Sequence, residues 1–204
     1  TGVGKSVAYL LPAMLFAVRN GTRVVVSTNT INLQEQLVSK DIPMLVEALN
    51  RDPADLASRF RFTQLKGRAN YLCLRRWTRM AQSGNLSQED ARMACKALVW
   101  MQETKTGDRS EINIPRRDGY LWDRISAAGS GGCDIAGSAC FLRAARTNAE
   151  GAHVVVVNHS LLLSDLASGG SVIPTYDHLI IDEAHHLEEE ASRQFGYEVP
   201  SQSV

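Results

Sequence analysis

Two short segments near opposite ends of the sequence carry residue types that bind and hydrolyse nucleoside triphosphates. The chain opens on the end of a G-x-x-x-x-G-K-S/T loop, whose first glycine would precede the first residue. Glycines there let backbone N–H groups face phosphate, Lys5 would reach the β- and γ-phosphates, and Ser6 would ligate Mg²⁺. The alternative is a turn that only caps the following helix. The predicted ATP contacts are Thr1, Gly2, Val3, Gly4, Lys5 and Ser6.

The second segment is an apolar strand, His178–Asp182, which ends in two adjacent carboxylates. Ligands lie at the carboxyl ends of the strands in open α/β sheets. Asp182 would therefore bind Mg²⁺, and Glu183 would orient and activate the attacking water. Strands often end in solvated acids, but this one occurs together with a phosphate loop, and the combination predicts an NTPase core. The run Asp-Glu-Ala-His, which ends at His185, further indicates a helicase.

The composition is that of an ordinary folded domain and excludes several classes of protein. The 204 residues are 44% hydrophobic, and 22 Lys and Arg balance 22 Asp and Glu. The formal net charge of +0 argues against a basic tail that binds nucleic acid and against an acidic disordered chain, but it allows a local basic groove.

The longest apolar run, Val7–Val18, is too short for a membrane span and contains Pro12, so no membrane partner is expected. Because the chain begins inside a motif and without Met, we expect a fragment in which no targeting signal can be read.

Strands and helices alternate at both ends of the chain, in the stretches 1–66 and 152–204. The predicted strands are Arg23–Ser27, Phe60–Leu65, His153–Val157 and His178–Asp182, and predicted helices follow Lys5 and span Ile31–Lys40. Apolar, β-branched strands interleaved with helices predict an α/β fold with a parallel sheet covered on both faces.

The middle stretch, 67–151, has no convincing strand, and we predict a helical insertion between the strands of the α/β domain. Ser87 and the acids that follow it form an N-terminal cap for one of its helices. All four cysteines lie here, and they are too few and too scattered for a disulfide scaffold. The predicted helices are Tyr71–Gln82, Ser87–Glu103, Gly119–Ala127 and Cys140–Glu150.

Six segments, in order along the chain, resemble motifs of the superfamily 2 helicases of the iron–sulfur group, close to the DinG family and more distantly to XPD. Thr1–Ser6 resembles motif I and Asp182–His185 resembles motif II. The other four are Val26–Thr30 with Leu33–Leu37, which resembles motif Ia, Leu65–Cys73 and Cys140–Arg146, which resemble the entry and exit of the cluster domain, and Val154–Leu163, which resembles the strand and turn after it.

The resemblance implies a RecA-like P-loop domain, made of 1–66 and 152–204, that is interrupted by a mostly helical iron–sulfur insertion at 67–151. It implies an ATP-dependent DNA helicase that moves 5′ to 3′ on single-stranded DNA, unwinds forked duplex DNA, and uses ATP, Mg²⁺ and a 4Fe–4S cluster. It also implies a bacterial, cytoplasmic protein whose second RecA-like domain lies outside this chain. In the family, the histidine at the position of His185 links the ATP site to DNA binding.

Two segments are candidates for DNA contacts. Thr28, Asn29 and Thr30 follow a strand, and they would contact the DNA backbone, cap the next helix, or do both. Arg75, Arg76 and Arg79 end a stretch, 59–79, that contains seven basic residues and no acid, with Tyr71 and Trp77 interleaved. Arginines that pair with phosphates beside aromatic rings that stack on bases are typical of single-strand channels. A solvated helix face is the alternative for the arginines.

The cysteines match the family's cluster ligands incompletely. By resemblance, Cys73 is the first ligand, Cys133 a middle ligand and Cys140 the last, while a second middle cysteine is missing. Three interpretations stay open: Cys95 is the fourth ligand, a residue other than cysteine completes the site, or the cluster is degenerate. A lone Cys95 in a helical pattern is otherwise typical of a small core residue. Structural zinc fits less well, because the chain has no C-x-x-C pair.

Two other functions remain as alternatives to a helicase. One is a P-loop ATPase that remodels protein, and the other is a DNA-binding relic that has lost both catalysis and its cluster. The presence of Lys5, Asp182 and Glu183 argues against the relic.

Overall fold

The computed structural model describes residues 4–50, 56–115, 118–128 and 140–196. The chain divides into two compact units. One, called here the α/β unit, comprises Thr1–Lys66 and Asn148–Val204; the other, the helical unit, comprises Gly67–Thr147.

Four runs rich in β-branched and apolar residues form the sheet of the α/β unit: β1 Val24–Thr28, β2 Phe62–Gln64, β3 Val154–Asn158 and β4 His178–Ile181. The strand order is β2-β3-β1-β4, and all neighbouring pairs are parallel. This confirms the predicted α/β class with a parallel sheet, and each strand lies within two residues of its predicted bounds.

The register of the strands brings their carboxyl ends to one edge of the sheet. Thr28 of β1 lies opposite Asn158 of β3, and Ser27 lies opposite Ile181 of β4. The residues that follow β1, β3 and β4 therefore meet at this edge, although they are far apart in the sequence.

The helices in chain order are α1 Lys5–Asn20, α2 Ile31–Gln36, α3 Ile42–Leu49, α4 Leu56–Arg59, α5 Leu74–Ala81, α6 Gln88–Trp100, α7 Gly119–Ile125, α8 Phe141–Glu150, α9 His159–Ala167 and α10 Leu187–Phe195. Of the described helices, none is long and apolar enough to cross a membrane.

The helix predicted to end at Lys40 continues to Leu49. A π-helical stretch, Leu37–Asp41, joins α2 to α3. This wider turn comes just before Pro43, which has no backbone N–H and whose ring crowds the turn before it. The sequence pattern marked where the helix begins, but it did not show that the helix could pass a proline.

An apolar core holds α1, the helices after β1 and two of the strands together. Leu10, Met14 and Ala17 of α1 pack in one cluster with Val26 of β1 and Val156 of β3. β1 and β3 are buried along most of their lengths, as continuous apolar strands in a parallel sheet should be.

The prediction that the parallel sheet is covered on both faces is wrong at β4. Leu179 is 39% exposed and Ile181 is 36% exposed. Because successive side chains of a strand point to opposite faces, these two residues share one face, whereas Ile180 packs against the core on the other.

The helical unit has its own core, centred on the fully buried Trp122. The Trp122 indole N–H donates a hydrogen bond to the Ala69 carbonyl oxygen at 2.6 Å. The Ser87 hydroxyl accepts from the Asp90 backbone N–H at 3.1 Å, which confirms the predicted cap of α6. The four helices predicted for this stretch are present, and each is shorter than predicted, α8 by a single residue.

Candidate functional site

The described part of the phosphate loop begins at Gly4, whose φ of +73° is in the left-handed region that glycine adopts without strain. The α1 helix begins at Lys5, and Ser6 lies in its first turn. The Lys5 side chain is 61% exposed, so its ammonium group is accessible from solvent. The predicted contacts Thr1, Gly2 and Val3 lie outside the described residues.

The acidic turn, defined here as Asp182 and Glu183, follows β4 directly and leads into a 3₁₀ turn, Ala184–His186. The Asp182 backbone N–H donates to the Ser27 carbonyl oxygen at 2.8 Å, which fastens the turn to β1. Glu183 has a φ of +53°, a conformation that costs energy for a residue with a Cβ. Among the described non-glycine residues, Glu183 alone adopts a positive φ. Such outliers are concentrated at functional sites.

The structure brings Lys5 and Glu183 together across 178 positions of sequence. The Lys5 Nζ donates to the Glu183 Oε1 at 3.0 Å. This hydrogen bond, together with the opposite charge, raises the pKa of Lys5 and lowers the pKa of Glu183. Both groups are therefore charged near neutral pH, and the cation of the phosphate loop is paired with the first acid after Asp182.

Asp182 has a partner that the sequence did not predict. The Tyr9 hydroxyl donates to the Asp182 Oδ2 at 3.2 Å. Burial, and then the negative charge of Asp182, raise the pKa of Tyr9, so the phenol stays protonated and remains a donor. Tyr9 lies one turn after Lys5 on α1, and this i, i+4 spacing could have revealed that both residues face the same edge.

Two histidines extend the acidic turn. His185 Nε2 lies 3.5 Å from Glu183 Oε2, and the rings of His185 and His186 have centroids 4.1 Å apart. Glu183, His185 and His186 each present one ligand atom within 4.8 Å of the others. In the described part of the chain, this is the one group of three such residues that is close enough to hold a metal ion.

The end of β1 is partly inaccessible. Thr28 is fully buried, Asn29 is half-buried and Thr30 is exposed. The Thr30 hydroxyl accepts from the Leu33 backbone N–H at 3.2 Å, so it caps α2, which was one of the two roles considered for this segment. Only Asn29 and Thr30 present side chains that solvent, and hence DNA, can reach.

His159 is a buried residue of this edge that sequence analysis did not include in the site. It is the first residue of α9, and Asn158 caps that helix by accepting from the Leu161 backbone N–H at 3.1 Å. The His159 Nδ1 lies 2.7 Å from the Ser27 Oγ, and both residues are fully buried. Burial lowers the pKa of His159, so the ring is neutral near neutral pH.

The candidate DNA-binding arginines of α5 are unequal. Arg79 is exposed, whereas Arg75 and Arg76 are half-buried. The Arg76 guanidinium donates to the Ser126 carbonyl oxygen at 2.9 Å, so it also fastens α5 to the end of α7.

The aromatic residues interleaved with these arginines belong to the helical unit. Tyr71 is only 3% exposed, so the prediction that it is available for base stacking is wrong. The Trp77 indole N–H donates to the Ala94 carbonyl oxygen at 3.2 Å, and its ring packs against the core of the helical unit. Both rings therefore pack within the helical unit. A large apolar ring suits base stacking and core packing equally, so the sequence did not distinguish the two roles.

The described cysteines occupy different environments. Cys73 is the residue before α5, Cys140 is the residue before α8, and both are half-buried. Cys95 is exposed on α6, so its interpretation as a core residue is wrong. Cys133 lies outside the described residues. No group of three close metal ligands among the described residues includes a cysteine.

The fold and the site together define an α/β domain with a parallel sheet, in which a lysine at the start of a glycine-capped helix faces an acidic turn at the carboxyl edge, where such domains bind ligands. No protein-family model matches the chain. Curated proteins do match: it is 36% identical over 212 residues to the "ATP-dependent DNA helicase YoaA" of Haemophilus influenzae, and 36% identical over 222 residues to the "ATP-dependent helicase DinG" of Mycobacterium tuberculosis. Both matches cover 100% of the chain.

A third relative, the "3'-5' exonuclease DinG" of Bacillus subtilis, is 36% identical over 96% of the chain. The chain spans 20% of that protein, 31% of the Haemophilus protein and 33% of the Mycobacterium protein. It is thus a homologue of one segment of the DinG-type helicases, which confirms the resemblance read from its motifs.

Proposed function

We propose that this chain carries the ATP site of an ATP-dependent DNA helicase that moves 5′ to 3′ along single-stranded DNA and separates forked duplexes. The contact between Lys5 Nζ and Glu183 Oε1 at 3.0 Å carries this proposal. It joins the two segments whose residue types predicted ATP binding and hydrolysis. Relatives that are 36% identical to it are named an ATP-dependent DNA helicase and an ATP-dependent helicase.

The exposure of the Lys5–Glu183 pair fits a group that changes partner when ATP binds. Ion pairs between exposed groups are weak, so a triphosphate can take Lys5 from Glu183 at little cost. Glu183, released from Lys5, is then free to orient the attacking water. The same event therefore binds the nucleotide and frees the general base.

The residues at this edge also fit a magnesium ion. Hydroxyl and carboxylate oxygens are the ligands that Mg²⁺ prefers, and Ser6 and Asp182 would supply them. Tyr9, which donates to Asp182 Oδ2, would hold the carboxylate so that its other oxygen faces the ion. Bound Mg²⁺ would neutralise the charge that develops on the phosphate oxygens. His185, 3.5 Å from Glu183, would connect the general base to the surface that binds DNA.

For DNA, we propose contacts from the end of β1 and from α5. The side chains that DNA could reach there are those of Thr30 and Arg79, which are exposed, and that of Asn29, which is half-buried. Thr28 would act through the backbone that leads to Asn29, because its own side chain is buried. Arg75 and Arg76 would add positive charge beside Arg79, although Arg76 already donates to Ser126.

We propose that Cys73, Cys133 and Cys140 hold a 4Fe–4S cluster in a helical iron–sulfur insertion at 67–151, with Cys95 as the fourth ligand. Cys73 and Cys140 each directly precede a helix, and the positive end of a helix stabilises thiolate. Because Cys95 is exposed, its sulfur is accessible to a cluster. The cluster, when bound, would join the two ends of the insertion.

The remaining parts of the proposal concern the whole protein. The α/β unit, made of 1–66 and 152–204, would be a RecA-like domain that needs a second RecA-like domain to complete its ATP site. Because its relatives are three to five times longer than the segment it matches, we place that domain outside this chain. As the resemblance implies, it would be a bacterial, cytoplasmic protein.

The experiment is ATP hydrolysis and strand separation by the full-length protein on a forked duplex labelled at one 5′ end. We expect single-stranded DNA to stimulate hydrolysis, and we expect the labelled strand to be released intact. Lys5→Ala should abolish both activities, whereas Lys40→Ala, which removes an exposed lysine on the π-helical stretch, should abolish neither.

Other outcomes separate the alternative functions. Hydrolysis that DNA does not stimulate would indicate an ATPase that remodels protein. DNA binding without hydrolysis would indicate a relic, and a shortened strand would indicate a nuclease. Any of these results contradicts the proposed helicase.

A further inference from the structure

The ring of His159 lies where the ends of three parallel strands meet. His159 follows β3 directly, and its Nδ1 is 2.7 Å from the Ser27 Oγ of β1. The backbone of Asp182 and Glu183, after β4, interacts with the ring and partly offsets the effect of burial on its pKa. A single buried side chain thus connects the ends of β1 and β3 beside the acidic turn.

The hydrogen bond to Ser27 determines which nitrogen of the His159 ring carries the proton. If the Ser27 hydroxyl donates to Nδ1, then Nε2 carries the proton, and this N–H is the hydrogen-bond donor of the ring. Nε2 is buried and has no described partner within ordinary hydrogen-bond distance. A buried donor without an acceptor is costly, so a small movement of the turn toward the ring, which completes this bond, is favourable.

Ser27 contacts both the acidic turn and the histidine. Its carbonyl oxygen accepts directly from the Asp182 backbone N–H at 2.8 Å, and its hydroxyl lies within hydrogen-bond distance of His159 Nδ1. Glu183, the next residue, is the one whose φ of +53° requires support from its surroundings. Ser27 is also two residues before Asn29, a proposed DNA contact.

We propose that His159 is a positioning residue, whose neutral ring transmits the position of β1 to Asp182 and Glu183 and holds Glu183 in its hydrolytic conformation. This inference rests on the proposed function and adds a residue that couples DNA binding to ATP hydrolysis. DNA that pulls on Asn29 and Thr30 moves Ser27, and Ser27 moves the acidic turn through the imidazole.

Three substitutions in the full-length protein test this role. His159→Phe keeps the ring volume but has no polar atom, His159→Gln keeps an amide near the position of Nε2, and His159→Asn keeps one near Nδ1. His153→Gln is the matched control, because His153 precedes the opposite end of β3, where its Nδ1 accepts from the Arg61 backbone N–H at 3.1 Å.

We expect His159→Phe to lower the kcat of DNA-stimulated hydrolysis by about 100-fold, the effect of misplacing a catalytic group by about 1 Å. The KM for ATP should change by less than about twofold, because the phosphate loop is not altered. His159→Gln should retain kcat within about threefold of wild type because it keeps the donor toward the turn, whereas His159→Asn should resemble His159→Phe. A residue that only fills the core would show the opposite order, with Phe tolerated best.

Two measurements keep failure of this inference separate from failure of the proposed function. If wild type shows DNA-stimulated hydrolysis and Glu183→Gln does not, the function stands, and a His159→Phe variant with normal kcat overturns the inference alone. If wild type does not hydrolyse ATP, ¹⁵N NMR of the histidine rings in this chain decides the inference. A His159 Nε2–H tautomer that is lost in Ser27→Ala supports the connection, whereas an Nδ1–H tautomer in wild type overturns it.

Discussion

The Lys5–Glu183 pair leads to a prediction with two opposite parts. In Glu183→Gln, the amide cannot accept a proton from water, so kcat for ATP hydrolysis should fall by about 10²–10⁴, the range for loss of a general base. ATP binding should become slightly tighter rather than weaker. The reason is that the wild-type Lys5 must leave a carboxylate 3.0 Å away before it can bind phosphate, and the variant removes that competitor.

The size of the affinity gain follows from the exposure of the pair. The side chains of Lys5 and Glu183 are 61% and 27% exposed, so water and salt screen their attraction strongly. Exposed ion pairs of this kind correspond to a factor of roughly 1.4 to 5 in an equilibrium constant. The gain should therefore lie within that range at low ionic strength and should disappear as salt is added.

The assay is equilibrium titration of the full-length protein with a fluorescent ATP analogue, combined with steady-state hydrolysis in the presence of single-stranded DNA. Glu188→Gln is the matched control, because Glu188 lies in the first turn of α10 and is exposed. It changes the net charge equally, close in sequence to Glu183, without touching Lys5.

Two results would refute this reasoning. Glu183→Gln that hydrolyses ATP at the wild-type rate would show that Glu183 is not the general base. Affinity for ATP that falls tenfold or more would show that the carboxylate contributes to nucleotide binding, and that the observed contact with Lys5 is part of the binding-competent site.

Three further predictions concern the helical unit. Reversing the charges of Arg75 and Arg79 should weaken single-strand binding and reduce the slope of log affinity against log salt by about 0.7 per lost phosphate contact; an unchanged slope would assign them to a solvated face. Cys73→Ser should release iron and the visible absorbance of protein purified without oxygen while ATP affinity is retained, and wild type free of iron and sulfide would establish a degenerate cluster. Gly107→Ala should destabilise the unit by about 2–4 kcal/mol, because φ is +65° and the new Cβ would lie 2.3 Å from the Phe141 Cγ. Denaturant unfolding measures this, with Gly84→Ala, whose Cβ meets no atom within 4 Å, as the control.

The fold class and the identity of the main chemical groups could be predicted because they depend on local sequence. A run such as Val24–Thr28 is β-branched and apolar, and only a buried strand accommodates it well. Two local motifs are each contained within about six residues. One is a glycine before Lys5 at the start of a helix, and the other is a pair of acids after an apolar strand. Their relation to one another followed from the rule that parallel strands bring their carboxyl ends to the same edge.

Other features could not be predicted because each depends on which distant side chain occupies the same space. The sequence offers Tyr71 and Arg79 equally as surface residues of one basic, aromatic stretch, yet Tyr71 is buried and Arg79 is exposed. Cys95 has the helical surroundings of a core residue, but the orientation of α6 leaves it on the surface. A helical pattern shows which residues share a face, but the packing of the whole unit decides which face points inward.

The sequence alone determined that the chain has an α/β fold with a parallel sheet and a helical middle stretch, because hydrophobic periodicity and turn-forming residues act over a few positions. Only the tertiary structure decided that Lys5 pairs with Glu183, that Tyr9 donates to Asp182, and that the buried His159 ring lies against Ser27. These contacts span more than 130 residues of sequence, and the register of the parallel sheet creates them. Hydrogen bonds and ion pairs act over about 3 Å, so they are defined only when packing brings the strand ends together.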